Sequence, residues 1–409
     1  MPQLESAFVG VWVGCGARHE TRPVMGVSHM LEHMAFKGTE RRTARGIAEE
    51  IEAVGGFLNA YTSREQTAYH ARVLKADVPL ALDILADILT HPTFDETELE
   101  RERGVVLQEL GQSRDTPDDI VFDHLQAVIY PDQPMGRPIL GDEQTVSGFN
   151  RDHLKTYMGA NYRAGGMVLI ASGAVTHEAV LAMAAEKFGG LQQGGAPSAE
   201  SARYAGGELR AGEQLEQVHV AFAFPGVASN DPDFYATQVY ATALGGGMSS
   251  RLFQEAREKR GLCYSIYAFS QSFSDGGVVG VYTGTGETEA AEVAPVIAGE
   301  MAALAANATD EEIARAKAQM RSGLLMGLEA PSTRAEMIAT QWFTFGRILP
   351  LAELIAKLEA VDSAAVRRVG TKLMTTMRPS IAAVGPLAKL ESYDRFAQRF
   401  GASANRAAE

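Results

Sequence analysis

His29-Met30-Leu31-Glu32-His33 sets two imidazoles four residues apart, with a carboxylate between them, inside the apolar run from Val27 to Phe36. On an α-helix, positions i and i+4 share a face, so both rings can aim a nitrogen at one ion. Glu32, three residues after His29, stays close to that face. A catalytic zinc commonly takes three protein ligands and keeps a fourth position for water, so the pentapeptide calls for a further ligand elsewhere. Five residues in a chain of 409 can also match on a solvated helix face by chance, and the third ligand decides between the two readings.

The acidic segment after the turn His91-Pro92-Thr93-Phe94 is where that ligand is expected. It reads Asp95-Glu96-Thr97-Glu98 and then runs from Leu99 to Leu110. Asp95 followed three residues later by Glu98 has the pattern of a helix start, and Leu99, Val106, Leu107 and Leu110 give the helix an apolar side. Glu102 and Glu109 are seven apart, two turns along one face, so one can ligate while the other sits above the ion or orients water.

His29-Met30-Leu31-Glu32-His33, 75 intervening residues and then Glu109 resemble the pitrilysin (M16) family of zinc metallopeptidases, whose helix carries this inverted His-x-x-Glu-His order. The flanks agree: Phe36-Lys37-Gly38-Thr39, Gly55-Gly56-Phe57-Leu58-Asn59-Ala60-Tyr61-Thr62, and Glu102 seven residues before Glu109 are similar to the processing-peptidase branch. The resemblance implies that His29, His33 and Glu109 hold one zinc per chain, that Glu32 is the general base and that Glu102 supports the site. It implies an α+β fold of two homologous domains, each a mostly antiparallel sheet packed with helices, together half of a clamshell. It also points to Arg257 and Tyr264, which in family members reach the zinc from the opposite half to hold substrate or stabilise the oxyanion. Arg260 and Tyr267 repeat the same spacing, so the register of that pair stays open. Asn59 and Ala60 resemble the strand edge to which substrate adds as an extra strand, a mode that tolerates many sequences.

The chemistry can be argued from the residues alone. A zinc held by two neutral imidazoles and one carboxylate keeps net positive charge and acidifies its water to a pKa of about 7. Glu32 would take that water's proton during attack on a peptide carbonyl and pass it to the leaving amine. No Gly-x-Ser-x-Gly elbow supports a serine hydrolase instead.

With 46% hydrophobic and 22% charged residues over 409, the chain can build more than one core. The expected division is a zinc-binding domain over residues 1–189, a linker over 190–207 rich in Gly, Ser and Pro, and a second domain over 208–409. The segments repeat. Phe8 to Val13, the metal helix, Ala44 to Val54, strands near Asn59 and Ala68 to Val73, and helices near Ala76 and Asp95 are echoed later. The echo is Val218 to Phe224, Phe234 to Leu244, Ser250 to Lys259, strands near Tyr264 and Gly277 to Tyr282, and helices at Glu287 to Ala305 and Asp310 to Leu325. The counterpart of the metal helix, Phe234 to Tyr240, has neither histidine nor acid, so the second half holds no such zinc. Gly245-Gly246-Gly247 lacks the phosphate-loop spacing and reads as a flexible loop.

A net charge of −14 argues against a nucleic-acid surface and would attract cationic ligands if the acids line a cavity, and the resemblance to processing peptidases implies basic peptide substrates. No apolar run approaches a membrane span, and no signal-peptide core is present. Cys15 and Cys263 have no partner spacing and read as reduced core residues, which favours the cytoplasm over a periplasmic or organellar home. The resemblance supplies two of four homologous domains, implying a homodimer or a heterodimer with a related chain. It also implies a start lacking the strands usual before Phe8, with an open sheet edge. A non-catalytic or peptide-holding scaffold subunit is the alternative function, against which the intact His29, Glu32, His33 and Glu109 count.

Overall fold

Residues 1–375 and 378–401 are described by the computed structural model. Their contacts divide the chain into two units, one of Met1–Gln112, Arg137–Glu200 and Met326–Ile348, the other of Ser113–Gly136, Ser201–Leu325 and Leu349–Glu409. The chain passes between units at residues 200 and 201, inside the glycine-rich stretch, and also at four other places.

The first half runs β1 (Ser6–Val13), α1 (Val27–Ala35), α2 (Ala44–Ala53), β2 (Phe57–Thr62), β3 (Thr67–Leu74), α3 (Val78–Thr90) and α4 (Glu96–Arg114). It continues with α5 (Pro117–Ile129), α6 (Glu143–Gly148), α7 (Arg151–Asn161), β4 (Met167–Gly173) and α8 (His177–Phe188). The second half has β5 (Gly207–Gly212), β6 (Val218–Pro225), α9 (Phe234–Gly245), a π-helical turn over Phe253–Lys259, β7 (Cys263–Ser272) and β8 (Gly277–Thr285). It then adds α10 (Ala290–Asn307), α11 (Asp310–Gly327), α12 (Pro331–Phe345), α13 (Leu351–Glu359), α14 (Ser363–Met374) and β9 (Ser380–Gly385).

The two sheets show the duplication directly. One has the order β2-β3-β1-β4 and is wholly antiparallel; the other is β5-β9-β6-β8-β7, the same arrangement with β5 added parallel to β9. Both sheets are packed by helices, giving an α+β chain of two homologous parts. β1 lies between β3 and β4, so the open edges of its sheet are β2 and β4.

β1 is apolar without alternation because both its faces are covered. Ala7, Val9, Val11 and Val13 join the core made with α1, α3 and α4, whereas Phe8 and Trp12 pack with Ala335 and Ala339 of α12. The second unit repeats the device: Val220, Phe222 and Phe224 face one core, and Ala221 and Ala223 face Val121, Leu125 and Ile129 of α5. Each half of the sequence therefore sends one helix to the other's sheet. Alanines line both contacts, which lets a helix lie close to the strands.

Two local readings are corrected. The expected helix Ser250 to Lys259 is wound as a π-turn over Phe253–Lys259. Gly245 is no part of a flexible loop: it ends α9, where a Cβ would stand 2.3 Å from the Ala268 amide nitrogen, so only glycine permits the approach of β7.

Candidate metal centre

α1 is short, and its sequence divides it cleanly. Val27, Met30, Leu31 and Met34 are at most 1% exposed and enter the core, leaving His29, Glu32 and His33 on the partly open side. Gly26 begins the helix at φ +89°, a left-handed conformation that glycine adopts without penalty. Along α4, Leu99, Val106 and Leu110 are buried in the same core, which turns Glu102 and Glu109 toward α1.

Nε2 of His29 and Nε2 of His33 each lie 3.6 Å from Oε2 of Glu109. One ligand atom from each of these three residues falls within 4.8 Å of the others, the one such group among the described residues. At 3.6 Å the contacts are too long for hydrogen bonds. They are close to the roughly 3.4 Å that separates two ligand atoms around a tetrahedral ion with bonds of about 2.0–2.1 Å. Two imidazoles and one carboxylate are also the donor set zinc favours, so the residues present fit that ion.

His33 is oriented from behind. Its Nδ1 lies 3.0 Å from Oε2 of Glu102, whose Oε1 is 2.7 Å from Nζ of Lys37. With Nδ1–H donating to that carboxylate, the Nε2 lone pair points at Glu109. Glu102 is only 6% exposed and sits behind the His33 ring, between it and Lys37. Oε2 of Glu32 accepts from the Thr62 hydroxyl at 2.7 Å, and burial is the main cause that raises the Glu32 carboxyl above the usual range. Lys37 and Thr62 are the partners that spacing did not single out. Both stand in the flanking stretches 36–39 and 55–62, but nothing in their chemistry marks which acid they meet.

Burial, and then the neighbouring His33, pulls His29 down to about 4. Its imidazole is therefore neutral at pH 7, with a lone pair free to ligate. The unfolded side chain takes its proton near 6.5 and the folded one only near 4, so this group's stabilisation is complete above pH 6.5 and lost as pH falls through 4. We expect chelated protein to lose on the order of 2–3 kcal/mol in that window through His29, a loss that His29→Asn would lack. Urea unfolding at a series of pH values measures it, and parallel curves for the two proteins would remove His29 as the cause.

Asn59 and Ala60 lie on β2, at the sheet edge. The Asn59 side chain is exposed and its Oδ1 accepts the Ala60 N–H at 2.9 Å, so that edge donor is already engaged. Arg257 and Tyr264 belong to the second unit, where the guanidinium carbon sits 5.0 Å from the centre of the Tyr264 ring and Tyr264 is 80% exposed. Arg260 is instead paired with Glu255 and Glu292, and Tyr267 packs on Tyr282. Of the two registers left open, Arg257 with Tyr264 is the one whose members meet each other. Cys15 and Cys263 are buried free thiols, and no helix among the described residues is long and apolar enough to cross a membrane.

Comparison with known proteins agrees in kind. A family profile described as Insulinase (Peptidase family M16) matches residues 1–143, and one described as Peptidase M16 inactive domain matches residues 148–320. An uncharacterized zinc protease of Rickettsia felis is 37% identical over 94% of both chains. A probable mitochondrial-processing peptidase subunit beta of Arabidopsis thaliana is 39% identical over 97% of this chain and 77% of that one. Among solved structures, a peptidase M16 inactive domain from Pseudomonas fluorescens superposes with a TM-score of 0.88 at 20% identity, over 96% of this chain and 95% of that one, a likeness of fold.

Proposed function

The chain belongs to the M16 peptidase family, and from that premise we propose that it is a zinc-dependent endopeptidase acting on extended or unfolded peptides. The observation that carries this reading is the meeting of His29, His33 and Glu109, with Glu32 beside them on the same helix. Relatives named zinc proteases support the choice of metal.

His29, His33 and Glu109 would hold the zinc, which would supply Lewis acidity toward a peptide carbonyl and acidify a water to a pKa of about 7. Glu32 takes the proton of the attacking water and delivers it to the leaving amine nitrogen, while the Thr62 hydroxyl holds the carboxylate by Oε2. Burial raises its carboxyl above the usual carboxylate range, which strengthens it as a proton acceptor. Glu102 keeps the His33 ring in one tautomer, and Lys37 balances the Glu102 charge. The edge strand β2, at Asn59 and Ala60, receives substrate as an added strand; the Asn59 amide then has to release the Ala60 N–H. Arg257 and Tyr264 are the donors we assign to substrate contact.

The net charge of −14 favours basic substrates. Several relatives are named as subunits, which favours work as a homodimer or beside a related chain, and the two free cysteines favour a reducing compartment such as the cytoplasm. The test is cleavage of a quenched, arginine-containing peptide by the purified chain, with chelator and zinc add-back, alongside its mass in solution. We expect cleavage that chelator stops and zinc restores. Cleavage indifferent to chelator would overturn the zinc reading, and a zinc-loaded but inactive monomer would point to a missing partner chain.

A further inference from the structure

Nine residues before His29, and outside every stretch considered so far, Glu20 is buried with 3% of its surface exposed. Its two carboxylate oxygens take separate partners. Oε2 accepts the Gly26 N–H at 2.7 Å and Oε1 accepts the Ser28 N–H at 2.8 Å. These donors belong to the first turn of α1, where backbone N–H groups have no partner within the helix. The ordinary cap is missing here, because the N-cap position is Gly26, which has no side chain to offer. Glu20 supplies the missing acceptor from six residues before Gly26, outside the helix, and its carboxylate faces the positive end of the helix dipole.

The backbone of Glu20 is itself held. Nη1 of Arg137 donates to the Glu20 backbone oxygen at 2.8 Å. Gly26 is pressed against the loop that follows Arg137, since a Cβ there would stand 2.7 Å from the Leu140 oxygen. On the far side, the Ser28 hydroxyl is bonded to the Tyr157 hydroxyl at 2.7 Å, and that hydroxyl lies 3.1 Å from Sγ of Cys15. The residue after Ser28 is the ligand candidate His29. A helix of nine residues has few bonds of its own with which to resist rotation or fraying. A small rotation of its first turn swings the His29 ring more than the backbone, whereas the approach of Nε2 to Glu109 must hold to a few tenths of an ångström.

We propose that Glu20 is a positioning residue for the metal centre: by capping Gly26 and Ser28 it sets where α1 begins and how it is turned, and so aims His29 at Glu109. The role rests on the zinc reading above. Burial pushes the Glu20 carboxyl up to about 7 against the pull of its N–H bonds and Arg137, so the site is not one that simple folding stability would choose for an acid.

The experiment is zinc titration against a chromophoric chelator, with the visible spectrum of the cobalt-substituted protein as a second readout. It compares wild type, Glu20→Gln, Glu20→Ala and the control Asp362→Ala. Asp362 caps α14 through the Ala365 N–H, in the unit that lacks the metal residues, so its loss matches the loss of a cap without touching α1. We expect Glu20→Ala to weaken zinc roughly 10- to 100-fold, as outer-shell partners of metal ligands commonly do, and to alter the cobalt spectrum. Glu20→Gln, whose amide oxygen still accepts one N–H, is expected to fall between that variant and wild type, and Asp362→Ala to bind as wild type does. Equal zinc affinity and unchanged cobalt spectra in both Glu20 variants overturn the role while leaving the zinc reading intact. If Glu20→Ala does not fold, wild-type affinity and spectrum in Glu20→Gln alone overturn it. A wild-type chain that binds no zinc removes the zinc reading, and this role with it.

Discussion

Replacing Glu32 by glutamine is expected to abolish peptide cleavage while leaving zinc in place. General acid–base catalysis by one positioned side chain contributes about 10²- to 10⁴-fold, and a glutamine amide can neither take nor return the proton. The substitution is close to isosteric, the amide oxygen can still accept from Thr62 at the position now 2.7 Å away, and no metal-facing atom of His29, His33 or Glu109 is changed. Turnover under saturating peptide should therefore fall by about three orders of magnitude with zinc affinity within a few-fold of wild type. Undiminished turnover in Glu32→Gln would strip the residue of its proposed role. Loss of zinc along with activity would mean instead that Glu32 holds the metal helix together.

Replacing Glu109 by glutamine should have the complementary result, with zinc lost first and activity lost as a consequence. Structural zinc sites with four ligands bind with about 10–16 kcal/mol, so one ligand stands for roughly 3 kcal/mol, or about 10²- to 10³-fold in affinity. The carboxylate is also the only negative charge in the trio, which neutral imidazoles cannot replace. Glu109 is partly exposed, its side chain 38% accessible, so the variant should remain folded. Metal content after dialysis and a competition titration measure the effect. Stoichiometric zinc at wild-type affinity would show that the ion, if bound, is held without Glu109.

The candidate metal residues were legible because their rules are local. Two histidines at i and i+4 must share a helix face whatever surrounds them, and glutamates seven apart share one on α4. Helix spacing alone left open which of the two carboxylates ligates, and it was the family resemblance that singled out Glu109. Glu102 and Glu109 are equivalent on the helix, and only the packing of α4 through Leu99, Val106 and Leu110 brings Glu109 to the Nε2 side and Glu102 to the Nδ1 side. The same holds for Thr62 on Glu32 and Lys37 on Glu102: hydroxyls and amines are common, and partnership is a matter of place. For Arg257 with Tyr264 against Arg260 with Tyr267, identical spacing left the register open, and only the family resemblance around Gly261-Leu262-Cys263-Tyr264 favoured the first pair. In the structure Arg257 stacks on Tyr264, while Arg260 pairs with Glu255.

By itself the sequence determined the repeated strand and helix order, the position of the metal helix in the first copy and the absence of ligands in the second, since each follows from periodicity and residue chemistry within a short window. The tertiary structure alone decided that α5 packs on the sheet of the second unit and α12 on that of the first, and that Glu20 caps α1. An amphipathic helix records that one face must be buried, but any alanine-lined sheet can bury it, and a buried carboxylate accepts from any free amide. The choice among equivalent partners is made by three-dimensional packing.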